Sequence, residues 1–342
     1  MILQFSVYVV IGLALLALSA DKLVEYAISL AKHLQISPYL IGIIIIGFGT
    51  SAPEMLVSAM AALDNVGGLA IGNALGSNIA NIGLVLGFAA LFAPLYISKK
   101  IRKLDLSILF AITFLALFLL LDKNLSTLDG IIMVICLIAF LIWSSLSDLN
   151  SKNSSNNSSD KQEKDNSKDT NDDIQIEEDE FDLEGEAEHS LAKSAVLTLI
   201  SLIVLLGSSK ILLEGATGIS KALGISDLMI GLTVVAIGTS LPELAASIAA
   251  ARQKQTGLII GNILGSNVFN TLGVLGIVGL LSNTSVDSTV LQRDFSVLIL
   301  LMLTLAVVAY VKNTLTKPTG IILLIAYFSY LGFLIYNALS LS

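Results

Sequence analysis

Long apolar segments, separated by short polar ones, recur along almost the whole chain. Each is about 17 to 26 residues long, which is enough for a helix to cross the ~30 Å of hydrocarbon in a bilayer. The pattern predicts an all-α membrane protein with ten transmembrane helices, near residues 2–20, 38–62, 68–93, 104–121, 128–146, 194–214, 226–251, 256–281, 294–311 and 319–340. The first segment is too long for a cleaved signal peptide and lacks an Ala-x-Ala exit, so we expect it to be retained.

One polar interval, from residue 147 to residue 190, is different in kind. It opens with a low-complexity run of Ser, Asn, Lys and Asp and continues into a run rich in Glu. Between Asp148 and Ser190 there are 15 Asp or Glu against 4 Lys, so the acidity of the chain belongs to this segment. Such a composition buries too little apolar surface to fold. We predict a disordered acidic linker at 147–190 between two membrane units at 1–146 and 191–342.

The two membrane units are copies of each other. When the sequence is compared with itself at an offset of 189 residues, positions 42–87 align with 231–276 without a gap, and 22 of the 46 pairs are identical. The similarity extends upstream more weakly, so the repeated unit is a five-helix half. Because five is odd, a linker that stays on one side of the membrane makes the two halves enter it in opposite directions. The sequence therefore predicts two inverted five-helix repeats.

The basic residues of the polar loops indicate the orientation, because cytoplasmic loops carry the excess of Lys and Arg. Ten such residues fall on one side and three on the other. The smaller group is Lys123, Lys221 and Arg293. The larger group is Lys22, Lys32, Lys99, Lys100, Arg102, Lys103, Arg252, Lys254, Lys312 and Lys317. We therefore expect a multi-pass protein of the cell membrane with both termini outside and the linker in the cytoplasm.

A charged hexapeptide lies near the middle of the second and of the seventh apolar segment. It reads Gly-Thr-Ser-x-Pro-Glu, at 49–54 and again at 238–243. A carboxylate at membrane depth costs roughly 2.5–3.5 kcal/mol on insertion scales, so Glu54 and Glu243 are functional candidates. The proline predicts a kink or a break that exposes backbone carbonyls. Helical spacing puts four hydroxyl side chains on the faces of these carboxylates, those of Thr50, Ser51, Thr239 and Ser240.

The third and eighth apolar segments carry a second repeated pattern, Gly-Asn-x-Leu-Gly-Ser-Asn, followed three residues later by another Asn. Its two glycines predict a close approach of helix backbones. The sequence does not decide whether Asn73 and Asn262 bind a ligand or have a packing or capping role. For Ser58 and Ser247, in the second and seventh segments, packing is favoured. Four-residue spacing stacks the serine on the last asparagine, which adds the candidates Ser77, Asn81, Ser266 and Asn270.

Composition narrows the class of ligand. The chain is 55% hydrophobic and 13% charged, with a mean hydropathy of +0.85. It has two His, neither within a continuous apolar stretch, and one Cys. The motifs therefore offer oxygen donors only, which suit hard cations such as Ca²⁺ and Na⁺ and disfavour zinc or copper. No basic stripe exists outside the loops next to the spans, so we expect no nucleic-acid partner.

At these motifs the sequence resembles the Ca²⁺/cation antiporter superfamily, and within it the prokaryotic Na⁺/Ca²⁺ exchanger branch. The resemblance covers both repeats, and so nearly all of the chain except the linker. It implies a site at the bilayer midplane where helices two, three, seven and eight meet, with Ca²⁺ and Na⁺ as transported substrates and no cofactor. It also implies backbone carbonyl ligands at Gly47 and Ala236. The candidate ligand side chains are Thr50, Ser51, Glu54, Ser77, Asn81, Thr239, Ser240, Glu243, Ser266 and Asn270.

One departure from the family pattern concerns charge. Family members often carry an Asp in the third or eighth helix where this chain has Asn81 and Asn270, so the site has two formal charges. The expected activity is secondary antiport of Ca²⁺ against Na⁺ by alternating access, with H⁺/Ca²⁺ exchange and K⁺-dependent Na⁺/Ca²⁺ exchange as alternatives.

Other classes of protein fit less well. Inverted repeats disfavour a channel, and Ser51 beside Glu54 without a His is a poor hydrolase nucleophile, so we expect no enzyme. The acidic linker is expected to be a solvated spacer rather than a Ca²⁺-sensing patch.

Overall fold

The computed structural model describes residues 2–64, 67–159, 189–225, 230, 233–234 and 236–340. Within this part of the chain the structure is helical apart from four two-residue strands. In chain order the helices are α1 (Ile2–Leu34), α2 (Pro38–Leu63), α3 (Gly67–Phe92), α4 (Ile101–Asp105 continued by Leu106–Leu119), α5 (Thr127–Ser159), α6 (Leu191–Ala222), α7 (Ala236–Gly238 and Leu241–Arg252), α8 (Thr256–Leu281), α9 (Val290–Lys312) and α10 (Lys317–Ser340).

Eight of these helices are long and apolar enough to cross a membrane, by their length and composition. They are α1, α2, α3, α5, α6, α8, α9 and α10. Helix α4 begins with a charged π-helical turn, Ile101–Asp105. The predicted span at 226–251, which contains α7, includes positions outside the described residues. The protein is an all-helical membrane protein whose outer helices expose rows of large apolar side chains, as lipid contact requires.

Helix α1 is longer than the predicted first span at 2–20. It continues without interruption to Leu34. The extension is amphipathic, because Leu23, Val24 and Ala27 are fully buried while polar neighbours remain accessible. Packing of this buried face, rather than a requirement to cross lipid, stabilises the additional turns.

Helix α5 continues past residue 146 to Ser159. The helix therefore extends into the first part of the predicted linker at 147–190, and the disorder of that segment stays a prediction. An existing helix adds residues without a new nucleation cost, and the buried Asp148 carboxylate accepts the backbone N–H of Ser37 at 3.0 Å, which holds this end of the helix against α2. The rest of the predicted linker, residues 160–188, lies outside the described residues.

Two small antiparallel sheets tie the two halves together. The strands are β1 (Leu95–Tyr96), β2 (Asn124–Leu125), β3 (Thr284–Ser285) and β4 (Thr314–Leu315). Strand β1 pairs with β4, and β2 pairs with β3. At the 189-residue offset β3 is the counterpart of β1, and β4 begins one residue after the counterpart of β2, so each sheet takes one strand from each half.

Helix α2 lies close against α8. A Cβ added at Gly261 would lie 2.2 Å from the carbonyl oxygen of Tyr39, and one added at Gly265 would lie 2.8 Å from Cα of Ile43. The predicted close approach of helix backbones is confirmed for this glycine pair. The counterpart contact of Gly72 and Gly76 falls at residues 228–232, most of which lie outside the described residues.

Helices α1 and α6 pack against each other along their length. Two glycines allow the close approach of these helices. A Cβ at Gly12 would lie 2.8 Å from Leu212, and one at Gly215 would lie 2.8 Å from the carbonyl oxygen of Phe5. Ser29 and Ser194 share a hydrogen bond of 2.8 Å within the same seam. The two helices therefore form a pair beside the bundle that contains the motifs.

Candidate cation-binding site

The hexapeptide of α2 follows a widened helical turn. Residues Gly42–Gly47 are π-helical, and Phe48–Leu63 continues as an α-helix with Pro53 inside it. A π-helical turn inserts an extra residue and leaves backbone carbonyls poorly paired, which is frequent at functional sites. The irregularity predicted from the proline is therefore present in α2 as a widened turn before the motif rather than as a break within it.

The hexapeptide of α7 is broken. The helix ends at Gly238, and a new helix begins at Leu241. Pro242 lies in the first turn of this new helix, where its missing N–H leaves no intrahelical bond unmade. The predicted break is thus confirmed for α7, and it places Thr239 and Ser240 in the turn between two helix ends.

The two motif carboxylates are buried next to each other. Glu54 and Glu243 are each 2% exposed, and their charges interact across the boundary between the halves. Among the described residues, the Oε2 atom of each has no hydrogen-bond partner, and neither carboxylate is in an ion pair. Two buried like charges repel and have lost their hydration. A cation between them removes both penalties.

Hydroxyl groups surround the carboxylates. Thr50 is fully buried, donates to the carbonyl of Ile46 at 2.9 Å and faces the carboxylate of Glu243. Within the described part of the chain, the buried Oγ atoms of Ser51 and Ser240 have no hydrogen-bond partner. Thr239 is partly buried beside them. Thr50 therefore lies at the carboxylate of Glu243, and the other three hydroxyl residues belong to the same two hexapeptides.

The serine and asparagine candidates of α3 and α8 are all buried. Ser266 donates to the carbonyl of Gly47 at 3.4 Å, so the backbone oxygen suggested by the resemblance lies beside a predicted side-chain ligand. Ser77 is 5% exposed. Asn81 begins a π-helical turn that packs against α7, and Asn270 lies in one that packs against α2.

Asn81 and Asn270 are each 1% exposed. Both amide atoms of Asn81, and Oδ1 of Asn270, lack hydrogen-bond partners among the residues that the structure describes. A buried amide left unpaired costs about 1–3 kcal/mol. These side chains are therefore available to a ligand.

The first asparagine of each motif has a packing role. Asn73 donates to Ser58 Oγ at 3.1 Å, and Asn262 donates to Ser247 Oγ at 3.2 Å. The two bonds are counterparts at the 189-residue offset. They join α2 to α3 and α7 to α8, while Oδ1 of Asn262 accepts from Oγ1 of Thr50 at 3.5 Å.

Few of the candidate oxygen ligands carry a charge. In the described residues no three His, Cys, Asp or Glu side chains come close enough together to hold a metal ion. The candidate ligands predicted from the sequence are instead two carboxylates with neutral hydroxyl, amide and carbonyl oxygens. Oxygen donors of this kind suit Na⁺ and Ca²⁺, which accept carbonyl and hydroxyl ligands readily.

Comparison with known proteins decides the family. The model of the family described as sodium/calcium exchanger protein matches residues 5–146 and 193–336. This chain belongs to the sodium/calcium exchanger family. Members of this family are transporters, and this exchanger chain is accordingly a cation antiporter of the membrane. The matched ranges contain both motif pairs and leave out the acidic segment.

Two relatives extend over nearly the whole chain. The putative antiporter CaxA of Alkalimonas amylolytica is 36% identical over 328 residues, which are 95% of this chain and 97% of the relative. The sodium/calcium exchanger MaX1 of Methanosarcina acetivorans is 30% identical over 339 residues, which are 95% of this chain and 97% of the relative.

A solved structure of the sodium-calcium exchanger NCX_Mj, soaked with Na⁺ and Sr²⁺, matches this exchanger fold. The TM-score is 0.79 at 30% sequence identity, and the match covers 97% of this chain and 99% of that one.

Sequence reasoning missed two features of the site. Asn78 donates to Thr271 Oγ1 at 2.7 Å across the halves, and the Oδ1 atoms of Asn78 and Asn267 have no partner in the described ranges. The signal was available, since both asparagines belong to the repeated motif. The π-helical turns could not be predicted from the sequence, because one inserted residue leaves the apolar pattern of a fully buried helix unchanged.

Proposed function

We propose that the protein exchanges Ca²⁺ for Na⁺ across the cell membrane, with both ions using the site around Glu54 and Glu243 in turn. The observation that carries this proposal is the pair of buried, adjacent carboxylates with unpartnered oxygens. The relative MaX1 and the matching solved structure are both named as sodium/calcium exchangers, which supports the same ion pair.

The proposed ligands are the ten side chains selected from the sequence, with the carbonyl of Gly47. Glu54 and Glu243 supply the charge, the hydroxyls complete the coordination beside them, and the amides of Asn81 and Asn270 approach from the neighbouring helices. Ca²⁺ takes six to eight oxygen ligands in flexible geometry. A donor set of many neutral oxygens and two carboxylates supplies that number.

We further propose the ten-helix arrangement of two inverted repeats, with both termini outside and the linker in the cytoplasm. The exchange of strands between the halves supports it, because β1–β4 and β2–β3 are the two contacts that a two-fold axis in the membrane plane generates. The basic residues near β1 and β4 support the cytoplasmic assignment of that end.

Transport by alternating access requires the site to open to one side at a time. The pair formed by α1 and α6 is the proposed moving part, because it packs as a unit along the bundle that contains the site. Helix α1 packs closely on α7, whereas α6 has much less contact with α2, its counterpart. In the proposed orientation, the end of α7 with Arg252 lies on the cytoplasmic side. The difference therefore supports a conformation that is closed to the cytoplasm beside α7 and open to the outside beside α2.

Charge balance sets the expected stoichiometry. Two carboxylates are neutralised by one Ca²⁺ or by two Na⁺, whereas a third Na⁺ leaves the site at +1. An exchange of one Ca²⁺ for two Na⁺ moves no net charge, so we expect little dependence of the rate on membrane potential.

The test is Ca²⁺ flux in proteoliposomes. A Na⁺ gradient at clamped pH should drive Ca²⁺ uptake, and the rate should not change when K⁺ is omitted or when a membrane potential is imposed. Uptake driven by a pH gradient in the absence of Na⁺ would instead establish H⁺/Ca²⁺ exchange, and an absolute need for K⁺ would establish the K⁺-dependent form. Absence of Ca²⁺ flux under all three conditions would refute the proposed activity.

A further inference from the structure

The sheet formed by β1 and β4 brings two basic loops to one end of the molecule. The loop before α4 and the loop between α9 and α10 meet there, with Ile97 donating its N–H to the carbonyl of Asn313 at 2.8 Å. Within the described residues, none of the six basic side chains of these loops and the adjoining helix ends is in an ion pair. They are Lys99, Lys100, Arg102, Lys103, Lys312 and Lys317.

The opposite sheet is an internal comparison. The loops around β2 and β3 and the adjoining helix ends contain two basic residues, Lys123 and Arg293, and Arg293 is bound to Asp294 at 2.6 Å. Asp122 and Asp287 lie in the same loops. Because the two sheets are counterparts in the fold, the accumulation of positive charge at β1–β4 is not a consequence of the fold itself.

One of the six basic groups is held in a fixed position. Arg102 donates through Nη1 to the carbonyl of Ala309 at 3.4 Å, and its guanidinium lies 5.9 Å from the ring centre of Tyr310. Its Nε has no acceptor among the described residues. An arginine placed in this way over an aromatic ring is oriented to bind a planar or phosphate oxyanion.

A shallow, open apolar groove on the surface of α10 begins one helical turn after Lys317. It has a volume of about 410 Å³ and lies along α10. The lining residues are Ile321, Leu324, Ile325, Phe328 and Ser329. At 1.5 Å per residue, Ser329 lies ~18 Å along the helix from Lys317, which is close to the ~15 Å depth of one hydrocarbon leaflet.

We propose that this end of the protein binds a phospholipid with an anionic headgroup. The phosphate lies among Lys312, Lys317 and Arg102, and one acyl chain lies in the groove on α10. Positive charge alone would also attract free phosphate. The groove selects the lipid, because it continues from the basic end into the apolar depth of the membrane, where basic pockets between helices bind such headgroups.

Lipid binding to the purified protein tests this without any transport measurement, so its outcome is independent of the proposed ion exchange. Native mass spectrometry in detergent would compare phosphatidylglycerol with phosphatidylcholine of the same chains. We expect wild type to retain phosphatidylglycerol. Lys312→Gln with Lys317→Gln should lose at least about tenfold in its binding, because two of the basic groups that attract the anionic headgroup are removed. Lys123→Gln with Lys221→Gln removes the same charge elsewhere and should bind as wild type does.

Two further measurements distinguish the binding of a lipid from the binding of a free anion. Ile325→Trp fills the groove and keeps every basic residue, so it should also weaken phosphatidylglycerol binding, while glycerol phosphate should not displace the lipid. Thermal unfolding curves identify any variant that fails to fold, and Lys317→Gln alone then replaces the double variant. Unchanged binding in the folded lysine variant, equal loss in the control, or displacement by glycerol phosphate would overturn the proposal.

Discussion

Oδ2 of Asp21 lies 3.4 Å from Nη1 of Arg252, an ion pair that joins the middle of α1 to the last turn of α7. Gln253 donates to the carbonyl of Asp21 at 3.2 Å in the same place. At the 189-residue offset the counterpart of Asp21 is Lys210, and that of Gln253 is Asp64. The described residues contain no ion pair between Lys210 and Asp64, although their charges are opposite.

We predict that these two pairs alternate during transport. Asp21–Arg252 is closed in the present conformation, and Lys210–Asp64 should close when the protein opens to the other side. Both partners of the observed pair are well exposed, so it contributes at most about 1 kcal/mol. It therefore biases the two states without locking either.

Cysteine cross-linking measures this alternation. In a Cys136→Ser background, Asp21→Cys with Arg252→Cys and Lys210→Cys with Asp64→Cys should cross-link under opposite ion gradients. Each cross-link should stop exchange, and reduction should restore it. If the second pair never cross-links, or if both do so under the same conditions, the two contacts do not alternate.

The paired carboxylates predict a sharp loss of function without loss of fold. Glu54→Gln or Glu243→Gln keeps the size of the side chain and removes one of the two charges that hold the ions. We expect at least a 100-fold fall in Ca²⁺ flux and in Ca²⁺ affinity measured by calorimetry, with a normal size-exclusion profile. Glu214→Gln changes an exposed carboxylate of α6 and should retain most of the flux. Flux like that of wild type in either site variant would remove these residues from the site.

A third carboxylate should change the charge carried per cycle. Asn270→Asp or Asn81→Asp adds a negative group of the same size next to Glu54 and Glu243, and three carboxylates balance three Na⁺ rather than two. Cation affinity should rise, and exchange should become sensitive to membrane potential, measured as current in planar membranes. Asn124→Asp, outside the site, is the control. If affinity, current and the dependence of both on pH between about 5 and 9 match wild type in both site variants, neither asparagine faces the ions, because an added carboxyl that stays protonated beside two others would still change the pH dependence.

The contact between α2 and α8 predicts a stability defect at one glycine. Gly261→Ala would put a methyl group 2.2 Å from the carbonyl of Tyr39, which must then move. Overpacking of this kind costs typically ~1–3 kcal/mol, so we expect a lower unfolding temperature in detergent. Gly332→Ala, on α10 with open space around it, should cause no such loss. An unchanged unfolding temperature for Gly261→Ala would contradict the close backbone packing.

The site could be predicted best where an unusual residue type occurs in both copies of the repeated motif. Glu54 and Glu243 could be selected because a charge at membrane depth is rare, and the second copy of the motif excluded coincidence. The hydrogen bond between Asn73 and Ser58 could not be read, because it joins two helices whose relative rotation no single-helix pattern fixes.

Helix ends were also hard to place. The extension of α5 to Ser159 uses residues of weak helix preference, and it depends on propagation from the membrane segment and on the contact of Asp148 with Ser37. The break in α7 and the intact helix in α2 have nearly the same local sequence. The difference between them therefore reflects the packing of the two halves, which the motif alone does not encode.

The exchange of strands between the two sheets has a consequence for the order of folding. Strands β1 and β4 come from different halves, and so do β2 and β3, so neither half can complete a sheet before the other has been made. Contacts between segments so distant in sequence form slowly, because the long loop between them must close first. Strand β3 precedes β4 along the chain, so the sheet of β2 and β3 can close before that of β1 and β4 during synthesis.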